Sequence, residues 1–484
     1  MESLFEKLLS LLVAFILVFN GPVLSQSTFH STPAGGQWSN PATWVENAVP
    51  SGSDDVIIGG PVFCNTNYCH NITVDTSGYL YGTGSGILTV YGDLINDGMI
   101  SDNIAPLNIK LYGNLMNNGI INNHSIVLRA GTDQYLSQSN DHPFETNLGS
   151  EKPSGKTVFL TDMEFVNCLI DMQGDSIMIP DSGFVKVHGG HLQDAVVFAN
   201  AGMDGRVRLE MNNLAYISGC EIFNPEITGT VRSHYNTFYG DVLVNGILEN
   251  DDSGYTLTVD GDITNNGTVR SVSSGNLTVS IYGDLTNNGV WNDVYTRFPA
   301  TDGQHITCLN GNDFSGGQFF DNTTAADTIF FDDTVHFDGT TLYFDTKPCI
   351  ISPEGILTLH NAYVKYSSIK GKSEHSVIYG LGSHSSDCPR FFQTSLSSVF
   401  LKGEFRFDDN CSLYGPVVNT GAIYDLNGST LKIYGEFYNE GIIADNSQLI
   451  LFVYGNITND SSWTNYKTYM QGSTPQIICL KNQH

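Results

Sequence analysis

The stretch LTVYGDLINDGMI, Leu88 to Ile100, decides the fold, because it recurs. IKLYGNLMNNGII starts at Ile109, LTVDGDITNNGTV at Leu257, VSIYGDLTNNGVW at Val279, LKIYGEFYNEGII at Leu431 and LFVYGNITNDSSW at Leu451. The shared pattern is apolar-x-apolar, usually Tyr, then Gly, then Asp, Asn or Glu, then apolar-x-Asn-x, usually Gly, and an apolar residue. Copies come in pairs: Gly92 and Gly113 are 21 residues apart, Gly261 and Gly283 are 22, and Gly435 and Gly455 are 20.

A longer period lies above the short one. Gly113 to Gly283 is 170 residues and Gly283 to Gly455 is 172. A glutamine after each pair (Gln134, Gln304, Gln476) repeats those spacings. VFLTDMEF at Val158 and IFFDDTVHF at Ile329 are 171 apart. Three independent landmarks thus define a unit of about 170 residues built from smaller ones.

The short unit reads as three short strands and three corners. Leu88-x-Val90 alternates as a half-buried strand does. Gly92 turns a corner, Asp93 leads into a second strand with Leu94 inward, and Asn-x-Gly turns the next corner. Asn and Gly suit corners because they tolerate left-handed backbone angles. About 21 residues with three strands make one coil of a parallel β-helix, with coils near 4.8 Å apart. The expected fold is therefore all-β: a right-handed parallel β-helix, a pectin-lyase-like solenoid with an N-terminal cap. An antiparallel sandwich of Asn-Gly hairpins competes, but it gives no reason for aligned units 20–22 residues apart. Segments 138–156 and 371–398 lack the pattern and read as loops or irregular coils.

Composition agrees with this reading and narrows function. Of 484 residues, 40% are hydrophobic and 11% aromatic, so a core can form. Only 15% are charged, which disfavours a helix-rich or coiled-coil chain. Lysine plus arginine is 21 against 50 acids, a net charge of −29, so no basic face awaits nucleic acid. Fifty glycines fit a chain with many tight corners. Residues 1–25 read as a signal peptide: Leu8 to Phe19 is a twelve-residue apolar run, and Val23-Leu24-Ser25 precedes a cut before Gln26. The run is too short for a comfortable span, so the expected chain is secreted or held at the extracellular surface, with no membrane span once mature.

Residues 26–62 form the expected cap, and 63–484 the β-helix, in long repeats 86–255, 256–429 and an incomplete 430–484. The third copy stops eight residues after Gln476 and reads as a fragment of a longer frame. The cap carries GGQWSNPATWVENAVPSGSDDVII, Gly35 to Ile58, in which Trp38 and Trp44 suit the plugging of an open first coil. That opening, Trp38-Ser-Asn-Pro-Ala-Thr-Trp44 followed by VPSGSDDVII, resembles secreted repetitive surface β-helix proteins of Bacteroidetes-type bacteria. It is also similar to the start of the eight-glycine domain. The resemblance covers the cap closely and the coils by style. It implies architecture and surface location, not an activity, and the sorting domain that usually ends such proteins is not seen.

Several residues invite a chemical reading. Asp93, Asp262, Asp284 and Glu436 share one corner, which suggests a calcium ladder, since calcium wants several carboxylate and carbonyl oxygens. The competing reading is a polar side chain bonding the corner backbone; Asn114 and Asn456 hold the same position, and the RTX calcium repeat is absent. No other cofactor is implied. Tyr91, Tyr112, Tyr282, Tyr434 and Tyr454 precede the corner glycine and form an aromatic ladder, either a sugar-stacking face or a support for the coils. Asp260 in one copy places that position at solvent. Of nine cysteines, Cys64 and Cys69 are near enough for a local disulfide. The pairs Asp54-Asp55, Asp251-Asp252, Asp332-Asp333 and Asp408-Asp409 lack the motifs of β-helix glycosidases, and neighbours on a strand point to opposite faces. His188-Gly-Gly-His191 lacks a third metal ligand, and Arg206-Val-Arg208 reads as one strand face. The expected function is a non-catalytic structural or adhesin-like protein offering an extended binding face to extracellular glycans or surface proteins. The alternative is a carbohydrate-active β-helix enzyme, a polysaccharide lyase or glycoside hydrolase. Its site would lie in the irregular inserts or beyond the C-terminus.

Overall fold

A computed structural model describes residues 26–481, apart from 103, 140, 182, 202–204, 252–253, 273–274, 310, 322–326, 346, 374, 383–386 and 426–427. The expected signal peptide, residues 1–25, lies outside the described residues. The chain divides into two compact units, up to Leu160 and from Thr161. Each is a parallel β-solenoid, about 19 turns in all, with about 57% of residues in strands. Among the described residues the single helical element is a 3-10 turn, Pro41–Thr43. The antiparallel sandwich is excluded: among the described residues the strand pairings are parallel, and the one antiparallel contact is an isolated bridge, Ser31 to Trp44, in the cap.

In the first unit, the quoted motifs stack coil on coil. Leu94–Asn96 pairs in register with Leu115–Asn117, so Leu94 meets Leu115 and Asn96 meets Asn117. Ile263–Asn265 and Leu285–Asn287 do the same in the second unit, as do Phe437–Asn439 and Ile457–Asn459. Within each unit inward positions carry Leu, Ile, Val and Phe as a core, and outward positions are polar or half-buried. The cap begins with Thr28–His30 and brings Trp38 and Trp44 together edge to face at 5.1 Å, both almost wholly buried. Trp44 Nε1 donates to the Trp38 carbonyl at 2.8 Å.

The corner chemistry differs from expectation. The Asn-x-Gly corners do not use left-handed angles: the residues with φ between +20° and +160° include neither Asn117, Asn118 and Gly119 nor Asn287, Asn288 and Gly289. The glycines are needed because coils stack too closely for a side chain. A Cβ on Gly119 would lie 2.2 Å from the Gly98 carbonyl oxygen, and one on Gly441 would lie 2.0 Å from that of Gly421. The motif asparagine points inward. Asn96 Nδ2 donates to Asn117 Oδ1 (2.7 Å), Asn265 to Asn287 (2.8 Å), Asn419 to Asn439 (2.7 Å) and Asn439 to Asn459 (2.6 Å), with little or no exposure along these ladders. Along each ladder the amide of one coil donates to the amide of the next, which is what lets a polar residue recur in a core. Left-handed corners occur elsewhere, as at Asn167, Asp194 and Asp293.

The segments read as irregular contain further coils. Asn147–Ser150 pairs with Ser125–Leu128, and Val377–Leu381 and Arg390–Phe392 each pair with the preceding coil. Their inward residues, among them Leu148, Ile378 and Phe391, are buried. These coils keep the alternation but not the Gly-Asp and Asn-Gly corners, so a motif search passes over them.

Candidate functional site

The corner acids serve the backbone of the neighbouring coil. Asp93 Oδ1 accepts the Asn114 N–H at 2.7 Å, Asp262 Oδ1 that of Asp284 at 2.8 Å, and Asp284 Oδ1 that of His305 at 2.8 Å. Asn71, Asn114, Asn224 and Asn456 accept in the same way. Asparagine therefore replaces aspartate freely, because the bond needs an acceptor oxygen and not a charge. Glu436 instead accepts from Tyr438 Oη at 2.7 Å. Among the described residues no group of three or more His, Cys, Asp or Glu side chains is placed to hold a metal ion.

The long-period glutamines have one role. Gln134 Nε2 donates to the carbonyls of Leu111 (3.1 Å) and Gly113 (2.6 Å). Gln304 donates to those of Ile281 and Gly283, both at 2.8 Å, and Gln476 to those of Val453 (2.9 Å) and Gly455 (2.8 Å). Each glutamine thus ties two carbonyls at the Tyr-Gly corner of the preceding coil.

The tyrosine ladder is two short stacks. Tyr91 lies 6.5 Å from Tyr68 and 5.5 Å from Tyr112 in the first unit. In the second, Tyr414, Tyr434 and Tyr454 stack nearly parallel at 4.7 Å steps. Tyr282 is exposed and has no ring partner among the described residues. In a parallel stack each inner ring spends both faces on its neighbours, so edges and hydroxyls meet solvent. Sugar rings pack on aromatic faces, so the interior of these stacks supports coils and does not form a platform.

Cys64 and Cys69 are free and buried, not bridged. Both point into the core of Pro61–Cys69, where burial pushes the Cys64 thiol up to about 12 and the Cys69 thiol higher still. Cys64 Sγ donates to Asn67 Oδ1 at 3.2 Å. The other sequence candidates separate. His188 Nε2 lies 3.4 Å from Glu164, whereas His191 stacks on Tyr216 at 3.6 Å. Arg208 pairs with Glu226 at 3.1 Å, and Arg206 Nη1 donates to the Asp241 carbonyl at 3.5 Å. Asp55 Oδ1 takes bonds from Gln26 and Asn71, and Asp332 Oδ2 lies 2.5 Å from His305 Nδ1, so these acids also join coils. Asp252 lies outside the described residues.

Three arrangements have no counterpart in the sequence reading. One is a stack of alternating rings, His191, Tyr216, His234 and Tyr255, with steps of 3.6, 4.5 and 4.1 Å. Burial holds both imidazoles below their usual value. His234 adds to the effect on His191, while Asp251, 3.0 Å from His234 Nε2, opposes it on His234. The second is Glu249, 2% exposed, held between Arg232 (3.0 Å) and Arg270 (2.7 Å). The third is an outward row on one face of the second unit: Arg297, Phe320, Tyr343, Lys365 and Phe392 pair in register over five successive coils. Their sequence spacings of 23, 23, 22 and 27 are the signal that a motif search misses.

A concavity of about 810 Å³ lined by Ile457, Trp463, Met470, Ile478 and Leu480 is the interior of the last described coil, not a cleft cut into a face. The arrangement as a whole defines a class, the parallel β-solenoid. Compared with family models, with curated proteins and with solved structures, the chain matches none.

Proposed function

We propose that the protein is a secreted or cell-surface structural solenoid, adhesin-like and non-catalytic, that offers an extended outer face for binding. The observation that carries this reading is the use made of its recurrent polar residues. The motif Asn, the corner Asp and the long-period Gln each bond the adjacent coil. Groups that would otherwise carry chemistry build length and rigidity. The apolar run Leu8 to Phe19 supports export, and the likeness of the Trp38–Trp44 opening to bacterial surface proteins supports the location.

A second reading, a carbohydrate-active enzyme, draws on one residue. Asp408 is half-buried, and burial raises its carboxyl above the ordinary range against the pull of Arg390 and Arg406. A raised acid beside arginines is an arrangement that general-acid catalysis uses. The full chain on an array of extracellular polysaccharides and matrix proteins, with a reducing-end assay on the same polymers, separates the two. Binding without new chain ends is expected. Turnover that disappears in Asp408→Asn would replace the structural reading with the enzymatic one.

A further inference from the structure

We propose that the row Arg297–Phe320–Tyr343–Lys365–Phe392 is the contact strip of the second unit, and that its ligand is a linear anionic polysaccharide lying across the coils. This rests on the reading of the protein as a binding solenoid and names where it binds and what.

The first argument is charge. The row belongs to the strands Tyr295–Arg297, Gln318–Asp321, Thr341–Phe344, Tyr363–Lys365 and Arg390–Phe392. Their outward positions hold three cations and five aromatic rings and no carboxylate; Asp321 is turned inward and buried. That is a marked local reversal in a chain of net charge −29. Arg129, Arg208, Arg232 and Arg270, by contrast, each pair with a glutamate. Arg297 and Lys365 have no carboxylate at ion-pair distance among the described residues. Arg390 stands beside the row in the field of Asp408.

The second argument is ring geometry. Here the rings meet edge to face: Tyr366 lies against Tyr343 at 73° and against Phe392 at 79°. Such a pair covers at most one face of one ring, whereas the middle ring of the parallel Tyr414–Tyr434–Tyr454 stack has both faces covered. Lys365 Nζ sits 5.7 Å from the centres of both Tyr343 and Tyr363, holding the cation over the aromatic surface. At one coil per strand spacing the row is about 19 Å long, suited to several units of a linear polymer. Open faces pack the C–H side of sugar rings, and guanidinium and ammonium take carboxylate or sulfate. A nucleic acid would stack as well, but its phosphates are dense, and the field of so acidic a chain repels dense charge most. A glycan with one charge every sugar or every second sugar fits better.

The test uses the full chain with hyaluronan as probe, in affinity electrophoresis at low ionic strength. The variant R297Q/K365Q is compared with K110Q/K402Q, which removes the same charge off the row; thermal unfolding shows that both remain folded. The row variant should bind roughly tenfold more weakly, the size expected of two solvent-facing charge contacts, and the control within about twofold of the parent. Y343A/F392A should also weaken binding while leaving charge unchanged. Equal losses in the two charge variants, or no loss in either row variant, would overturn the assignment. So would displacement of hyaluronan by a twenty-residue oligothymidylate at the lower concentration, which would assign the row to nucleic acid. If the parent ignores hyaluronan and every other anionic polysaccharide but binds a neutral polymer or a matrix protein on the array, only this proposal fails. If it binds nothing on the array, the binding-solenoid reading beneath it fails too.

Discussion

Asn439 shows how much one side chain decides. It is fully buried, accepts from Asn419 and donates to Asn459. Asn439→Ala strands an amide on each neighbour, and a lost buried bond with an unsatisfied partner costs about 2–3 kcal/mol. Thermal unfolding and hydrogen exchange in the flanking coils should show that loss. Gly441→Ala should cost about 3 kcal/mol, because its Cβ meets the rigid backbone of the coil below at 2.0 Å. The same change at Gly174, where nothing lies within 4 Å, costs only the strain of its left-handed angle, about 1 kcal/mol. The cysteines give a covalent check. Eight are buried and Cys479 is exposed. A thiol reagent should label one site rapidly in the native chain and nine in denaturant without reductant; a count of seven in denaturant would restore the Cys64–Cys69 bridge.

At the scale of the element, the inter-coil clusters matter more than any strand. Glu249 is a carboxylate taken out of water and held by two arginines on adjacent coils. Removing one partner of such a buried group is more damaging than never having had the pair. Glu249→Ala should lower stability by about 3 kcal/mol, visible as lost exchange protection over Thr230–His234, Ile247–Glu249 and Thr268–Arg270. The stack of His191, Tyr216, His234 and Tyr255 makes the same region sensitive to acid. Both imidazoles are held below their unfolded value, so between the two values the unfolded chain binds more protons. Their contribution is intact above about pH 6.5 and is lost as the pH falls through that value. The unfolding midpoint should therefore drop between pH 7 and pH 5, and His191→Gln with His234→Gln should flatten that slope. A slope unchanged by the double variant would remove these residues as its cause.

For the whole molecule, the coil is the unit of energy. Each coil touches mainly the one before and the one after, so damage should stay local. Trp44 is buried against Trp38 and Phe29 in the first unit. Trp44→Ala should cost about 3–5 kcal/mol. Exchange protection should fall in the coils nearest Thr28–His30 and not around Gly441; Gly441→Ala should give the reverse pattern. Protection lost across the entire chain in either variant would show that the solenoid unfolds as one body.

The sequence by itself determined the parallel coil, its period and the inward residues, because those depend on alternation and on motifs repeated every 20–22 residues. It also marked Gln134, Gln304 and Gln476 as equivalent without saying why. Only the tertiary structure decided what the motif polar residues do. Asn96 and Asp93 look like corner residues in a line of text, but their partners Asn117 and Asn114 lie one coil away. The glycines of the Asn-x-Gly corners likewise answer to the carbonyl stacked beneath them and not to their own backbone angles. The row from Arg297 to Phe392 was invisible for the same reason. Its members are some 22 to 27 residues apart and share no motif, and they become a surface only when coils of unequal length are brought into register by the hydrogen bonds between them.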